Sequence, residues 1–197
     1  MIALVTGGAS CGKSAFAERL ATALPGPRVY LATMQGAGPE AEARIARHRG
    51  LRSGKGFETL ECPCCLEKLP FDDPSNQAIA SDATVLLEDL GNLAANEMFS
   101  DGARTVDDVL AGIDEVARRC ANLVIVTNEL GSDGVSYDSG TRAYQEFLGA
   151  LACACAQRAD VVAEVVAGVP QIVKGADAIA TWIGGREEAM EAGGALC

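Results

Sequence analysis

The sequence lacks a long apolar run: none approaches the roughly 18 residues that a membrane span needs. It lacks a basic segment and small-residue cleavage site at its start, Met1-Ile2-Ala3-Leu4-Val5, so a secretory leader is not expected and a cytoplasmic location is. Cations are few, 16 Lys and Arg against 27 Asp and Glu, for a net charge of −11 and a pI of about 4.5. An acidic surface of that size repels a phosphate backbone and argues against nonspecific nucleic-acid binding. Small anions are not excluded, because backbone amides and a few local cations can hold them. There is no internal repeat and no linker-like stretch, so the 197 residues are read as one domain over 1–174 with a C-terminal tail of uncertain structure over 175–197. Apolar residues make up 49 % and charged residues 22 %, with a mean hydropathy of +0.15, which excludes global disorder.

Cysteine is plentiful, with eight residues. Without a secretion signal these are expected to be reduced thiols rather than a disulfide framework. Cys62-Pro63-Cys64-Cys65 contains one C-x-x-C, and Cys153-Ala154-Cys155 could complete four thiolates for zinc. The second pair has the wrong spacing for a zinc knuckle and lies in an alanine-rich helical pattern, where cysteine acts as a small hydrophobe. A prenylation box needs three residues after its cysteine, and Cys197 is the last.

Apolar strands are expected at Ile2–Thr6, Arg28–Thr33, Thr84–Glu88, Leu123–Thr127, Val161–Val166 and Gln171–Val173. They alternate with helices at Lys13–Leu24, Glu40–Arg49, Val106–Cys120 and Thr141–Gln157. Leu51 to Ser81 carries turn residues throughout and only short helical hints. Strands that are apolar along their whole length, separated by helices, imply a mostly parallel sheet covered on both faces, a three-layer α/β domain.

Gly7-Gly8-Ala9-Ser10-Cys11-Gly12-Lys13-Ser14 matches G-x-x-x-x-G-K-[ST] between an expected strand and an expected helix, the context that motif requires. Its glycines let successive N–H groups converge on a phosphate, and the helix start adds its positive end. Lys13 would reach the outer phosphates and the Ser14 hydroxyl would ligate Mg²⁺. A magnesium carboxylate is expected at the end of a neighbouring strand. Glu88 ends Val85-Leu86-Leu87-Glu88, and Asp89 follows it. Adjacent strand residues face opposite ways, so one of the two faces the metal, and Glu88 is favoured because it continues the strand. Thr127, Asn128 and Glu129 end another strand, where open α/β sheets place their ligand crevice.

Five of the sixteen basic residues, Arg44, Arg47, Arg49, Arg52 and Lys55, fall within twelve positions that contain no acid, together with the chain's one histidine, His48. On a helix Arg44, His48 and Arg52 share a face. Spacing alone leaves two readings. One is a solvated helix face with an incidental histidine. In the other, cations gather a polyphosphate and keep the imidazole neutral, as a nucleophile must be.

With these residues in hand the chain resembles a known family. The segments Val5 to Ser14, Tyr30-Leu31-Ala32-Thr33, Ala43 to Arg49, Leu86-Leu87-Glu88, Val126-Thr127-Asn128-Glu129, Thr141 to Gly149 and Ala159-Asp160 appear in that order. They are similar to the bifunctional adenosylcobinamide kinase/adenosylcobinamide-phosphate guanylyltransferases of cobalamin biosynthesis. The resemblance implies a P-loop NTPase-like fold assembling as a homotrimer. It also implies ATP and GTP as substrates, Mg²⁺, phosphorylation of adenosylcobinamide, and GMP transfer from GTP through a guanylylated histidine. That histidine falls on His48, and the five cations would then screen a triphosphate and stabilise departing pyrophosphate. The nucleotide-binding set is then Gly7 to Ser14 with Arg49, Arg52, Glu61 and Glu88. Departures from the family pattern fall at Asp89-Leu90-Gly91, at the Gly131–Tyr137 loop and at Leu151-Ala152-Cys153. Two other readings of the phosphate loop are a kinase of a different small alcohol and a nucleotide-dependent regulatory binder. A covalent GMP adduct separates both from the first.

Overall fold

The computed structural model describes residues 1–35, 50, 54–69, 71, 79–100, 102–131 and 134–182. The helix expected over Glu40–Arg49, and with it His48, Arg44, Arg47, Arg49 and also Arg52, lies outside them.

Seven strands form one sheet: β1 (Ile2–Thr6), β2 (Arg28–Ala32), β3 (Phe57–Glu61), β4 (Thr84–Glu88), β5 (Asn122–Val126), β6 (Val161–Val166) and β7 (Val169–Lys174). Their order across the sheet is β3-β2-β4-β5-β1-β6-β7. Every neighbouring pair is parallel except β6 and β7, which form an antiparallel hairpin at one edge. The central strands β4 and β5 are buried at every position, as runs apolar on both faces require.

Among the described residues four helices flank the sheet: α1 (Lys13–Ala23), α2 (Leu90–Phe99), α3 (Val106–Arg119) and α4 (Ser139–Arg158). Strand alternation sorts the core into two layers. Leu4, Leu87, Leu123 and Ile125 meet Leu90, Leu93, Ile113, Val116, Leu148 and Leu151 of α2, α3 and α4 on one face. Val5, Leu86, Val124 and Val126 meet Phe16, Ala17 and Leu20 of α1 on the other. Ile179, in a helical stretch at 176–182, joins that second layer, and Trp182 packs against it. The expected three-layer α/β architecture with a mostly parallel sheet is the one observed.

Besides the helical stretch at 176–182 and a single 3-10 turn at Leu66–Lys68, β3 and α2 are absent from the sequence reading. β3 is an edge strand of mixed burial, so its Phe57-Glu58-Thr59-Leu60-Glu61 run lacks a clean apolar signature. α2 begins right after Glu88, where Asp89 drew attention as a metal ligand. Asp89 is instead its N-cap, accepting a hydrogen bond from the Asn92 amide at 2.6 Å. The signal was present: an Asp followed by Leu90, Leu93, Ala94 and Glu97 at i, i+3, i+4 and i+7.

Candidate active site

Parallel strands bring their C-terminal ends to one edge, and the loops leaving β1, β4 and β5 meet there. The loop leaving β1 turns through three left-handed residues, Gly7 (φ 151°), Ser10 (φ 56°) and Gly12 (φ 95°). A Cβ on Gly7 would stand 2.5 Å from the carbonyl oxygen of Val165 and 2.7 Å from Cys11 Sγ, so the position admits only glycine. The β6–β7 turn braces the same loop, its Gly168 amide donating to the Cys11 carbonyl at 2.8 Å.

The helix that follows stands apart from the others. Asp89 caps α2, Asp138 caps α4, and Thr105 with Asp108 closes a capping box on α3. At α1 the N-cap is Gly12, no side chain caps it, and its first turn holds no acid. An uncapped helix start leaves amides pointing outward and a positive dipole end, which together bind a phosphate. Lys13, only 7 % exposed, donates from Nζ to the Gly8 carbonyl at 3.1 Å, so the ammonium curls over the loop it serves. Ser14 is half-buried in the same first turn, and Ala9 and Ser10 are exposed at the loop's tip.

Glu88 ends β4 and is 8 % exposed. Strand alternation puts its side chain on the face of Leu86, the α1 face, and Asp89 on the other. Asp89 is also committed elsewhere. One carboxylate oxygen caps α2, the other accepts from Asn128 Nδ2 at 3.3 Å, and its carbonyl accepts from Thr33 Oγ1 at 2.7 Å. Tyr144 on α4 donates to the Gly91 carbonyl at 3.0 Å. Burial and the Asp89 charge hold its phenol above the usual range, protonated and able to donate.

Two residues named on the sequence lie away from this loop. Lys55 lies just before β3, at the N-terminal edge of the sheet, opposite the phosphate loop. It forms an ion pair with the buried Glu18 of α1, and its carbonyl accepts from Arg28 at 3.4 Å. Of the five cations expected to screen a triphosphate, Lys55 is thus ion-paired within the protein, and the other four lie outside the described residues. A neighbouring buried carboxylate claims its charge. Glu61 ends β3 on the same edge as the loop but is exposed. It stands four strand spacings from β1, about 19 Å.

The cysteine run follows β3. Asn96 of α2 ties it down by donating to the Thr33 and Pro63 carbonyls at 2.8 and 2.9 Å, and the Cys65 amide donates to Glu97 Oε1 at 2.6 Å. Burial and the neighbouring Cys64 and Cys65 push the Cys62 thiol up to about 11. Burial pushes Cys120 up to about 11 and Cys155 to about 12. The described cysteines are free thiols, and among the described residues no group of three His, Cys, Asp or Glu is arranged to hold a metal. Since the thiolate is the nucleophile, iodoacetamide at pH 8 should label the exposed Cys153 first. Cys62 should react only as the pH rises toward 11. Mass-mapped alkylation that finds Cys62 modified as fast as Cys153 would contradict this burial.

Glu97, 2 % exposed at its side chain, is paired with Arg104 at 3.4 Å, and Arg104 also grips both oxygens of Glu67 at 3.0 Å. Arg104→Leu should cost about 3 kcal/mol in urea unfolding, the low end for breaking a buried pair because the guanidinium is one-fifth exposed. A loss under about 1 kcal/mol would mean that the network does not hold this loop.

Comparison with known proteins adds a separate line. A family model described as cobinamide kinase / cobinamide phosphate guanyltransferase matches residues 3–173. The chain is 32 % identical over 188 residues to the bifunctional adenosylcobalamin biosynthesis protein CobU of Salmonella typhimurium, covering 88 % of this chain and 100 % of that one. It is 33 % identical over 173 residues to the bifunctional protein CobP of Pseudomonas aeruginosa, covering 87 % and 96 %. CobU of Escherichia coli is 30 % identical over 188 residues, with 88 % and 100 % covered.

Proposed function

The chain belongs to the cobinamide kinase / cobinamide phosphate guanyltransferase family, and from that premise we propose how its own residues divide the two reactions. It is a bifunctional enzyme of adenosylcobalamin biosynthesis that phosphorylates the cobinamide side chain and then guanylylates the phosphate. The observation that carries the kinase half is the uncapped start of α1 with Lys13 folded over Gly7–Ser14.

In the first reaction the phosphate loop holds a nucleoside triphosphate, ATP or GTP. The hydroxyl oxygen of adenosylcobinamide attacks the γ-phosphorus, the P–O bond to the β-phosphate breaks, and Lys13 offsets the charge that moves onto the departing diphosphate. In the second, His48 attacks the α-phosphorus of GTP. A P–N bond forms, the bond to pyrophosphate breaks, and Arg49 and Arg52 stabilise the leaving group. A phosphate oxygen of adenosylcobinamide phosphate then displaces the imidazole, giving adenosylcobinamide-GDP and free histidine. The order of the motif around His48 in the sequence supports this assignment.

Magnesium fits the donor set. Ser14 and Glu88 offer a hydroxyl and a carboxylate from the α1 face, the hard oxygen ligands this ion takes alongside water. When bound it neutralises phosphate charge. Among the described residues no helix is long and apolar enough to cross a membrane. A cytoplasmic homotrimer is the state in which we expect the enzyme to work.

Incubation with Mg²⁺ and α-³²P-GTP, followed by denaturation, should leave covalent label that is lost in acid and kept in alkali, as a phosphoramidate is. The same protein should phosphorylate adenosylcobinamide. Folded, nucleotide-binding protein that does neither would overturn the assignment.

A further inference from the structure

The mechanism leaves one polar group at the site unused. β5 lies between β1, which carries the phosphate loop, and β4, which carries Glu88, and it pairs with both: Val126 with Val5, and Ile125 with Leu87. The residues just past its end therefore emerge between the loop and that carboxylate. They stay in step with the loop, since the Thr127 amide donates to the Val5 carbonyl at 2.9 Å and the Glu129 amide to the Gly7 carbonyl at 3.1 Å. Between them stands Asn128, half-buried, its Nδ2 held at 3.3 Å by Asp89.

That bond uses one of the two N–H groups on the amide, and among the described residues its carbonyl oxygen has no partner. The other oxygen of Asp89 is fixed by the Asn92 amide, so the carboxylate holding Asn128 is itself held. Behind it, the Thr127 hydroxyl is 1 % exposed and has no hydrogen-bond partner among the described residues. Buried hydroxyls are paired as a rule, so the described residues leave the tip of β5 with one polar group unsatisfied.

We infer that Asn128 donates its second N–H to a non-bridging oxygen of the γ-phosphoryl group during transfer, and that Asp89 is its positioning residue. The inference rests on the kinase reading above. The hydroxyl oxygen of the acceptor forms the new bond to phosphorus as the bond to the β-phosphate oxygen breaks. The hydroxyl proton leaves to solvent, and the amide itself neither gains nor loses one. A donor aimed at charge that spreads over the equatorial oxygens acts mainly on kcat.

The test compares wild type, Asn128→Ala and Asn128→Ser with adenosylcobinamide and ATP, alongside GDP and a non-hydrolysable GTP analogue in binding assays. Expected are a fall in kcat of roughly 10²-fold, the low end for losing one such donor, and a KM for ATP within about threefold. GDP affinity should be unchanged and analogue affinity weakened by no more than that same threefold, because only the analogue carries the third phosphate and the contact strengthens in the transition state. Asp89→Asn keeps a capping side chain on α2 but weakens the hold on Asn128, so a smaller kcat loss is expected from it. If kcat stays within threefold of wild type in both Asn128 variants, or GDP and analogue weaken together, Asn128 is structural and the inference is wrong. A wild type that fails to phosphorylate adenosylcobinamide would instead sink the kinase reading.

Discussion

Lys13→Met should lower kinase turnover by roughly 10²- to 10³-fold, the usual effect of removing one fixed donor to developing charge. Lys13 is 7 % exposed, and among the described residues its ammonium donates to a carbonyl of its own loop. Unlike Lys55, which is consumed by Glu18, Lys13 has no described carboxylate in ion-pair contact. A buried cation compensated so lightly costs stability in the free protein and gains its partner when a polyphosphate binds. Methionine keeps the apolar stem and drops the charge. The melting temperature of free Lys13→Met should therefore equal or exceed that of wild type while its activity collapses. Steady-state kinetics beside differential scanning calorimetry would check both halves. Turnover within threefold of wild type would remove Lys13 from the chemistry. A large loss of melting temperature would make its role structural.

The second large effect concerns His48. His48→Asn should abolish the acid-labile GMP adduct, a loss of at least about 10³-fold, while adenosylcobinamide phosphorylation continues. A carboxamide nitrogen gives its lone pair to the carbonyl and cannot form the phosphoramidate, yet it preserves much of the imidazole's size and hydrogen bonding. On the reading proposed above, the kinase reaction draws on Gly7–Ser14 and the ends of β4 and β5 rather than on His48. Label retained by the variant would mean that another side chain is the nucleophile. Parallel loss of both activities in a folded variant would mean that His48 is shared by the two reactions.

The architecture was legible because the apolar runs of β4 and β5, and the centre of β1, are buried on both faces, as the interior strands of a covered parallel sheet are. β3 escaped because an edge strand needs only part of its surface apolar. α2 escaped because its capping residue was weighed for a different role.

The phosphate loop is local chemistry: eight consecutive residues contain the glycines, the lysine and the hydroxyl, so a linear reading suffices to find them. The histidine motif is local in the same way, and its order along the chain is enough to mark the family. Charge is another matter. Lys55 counts as a phosphate ligand on the sequence, and only the fold shows it at the far edge of the sheet against Glu18. Weighing Glu88 against Asp89 as the proposed metal carboxylate also drew on the fold, which shows the layer each side chain faces and that Asp89 caps a helix. The role proposed for Asn128 rests on strand order, because β5 is inserted between β1 and β4 and brings residues some 40 and 120 positions apart to one edge of the sheet. Sequence determines what is contiguous in the chain. Tertiary structure decides which distant groups neutralise, cap or orient one another, because those interactions fall off over a few ångströms and depend on space alone.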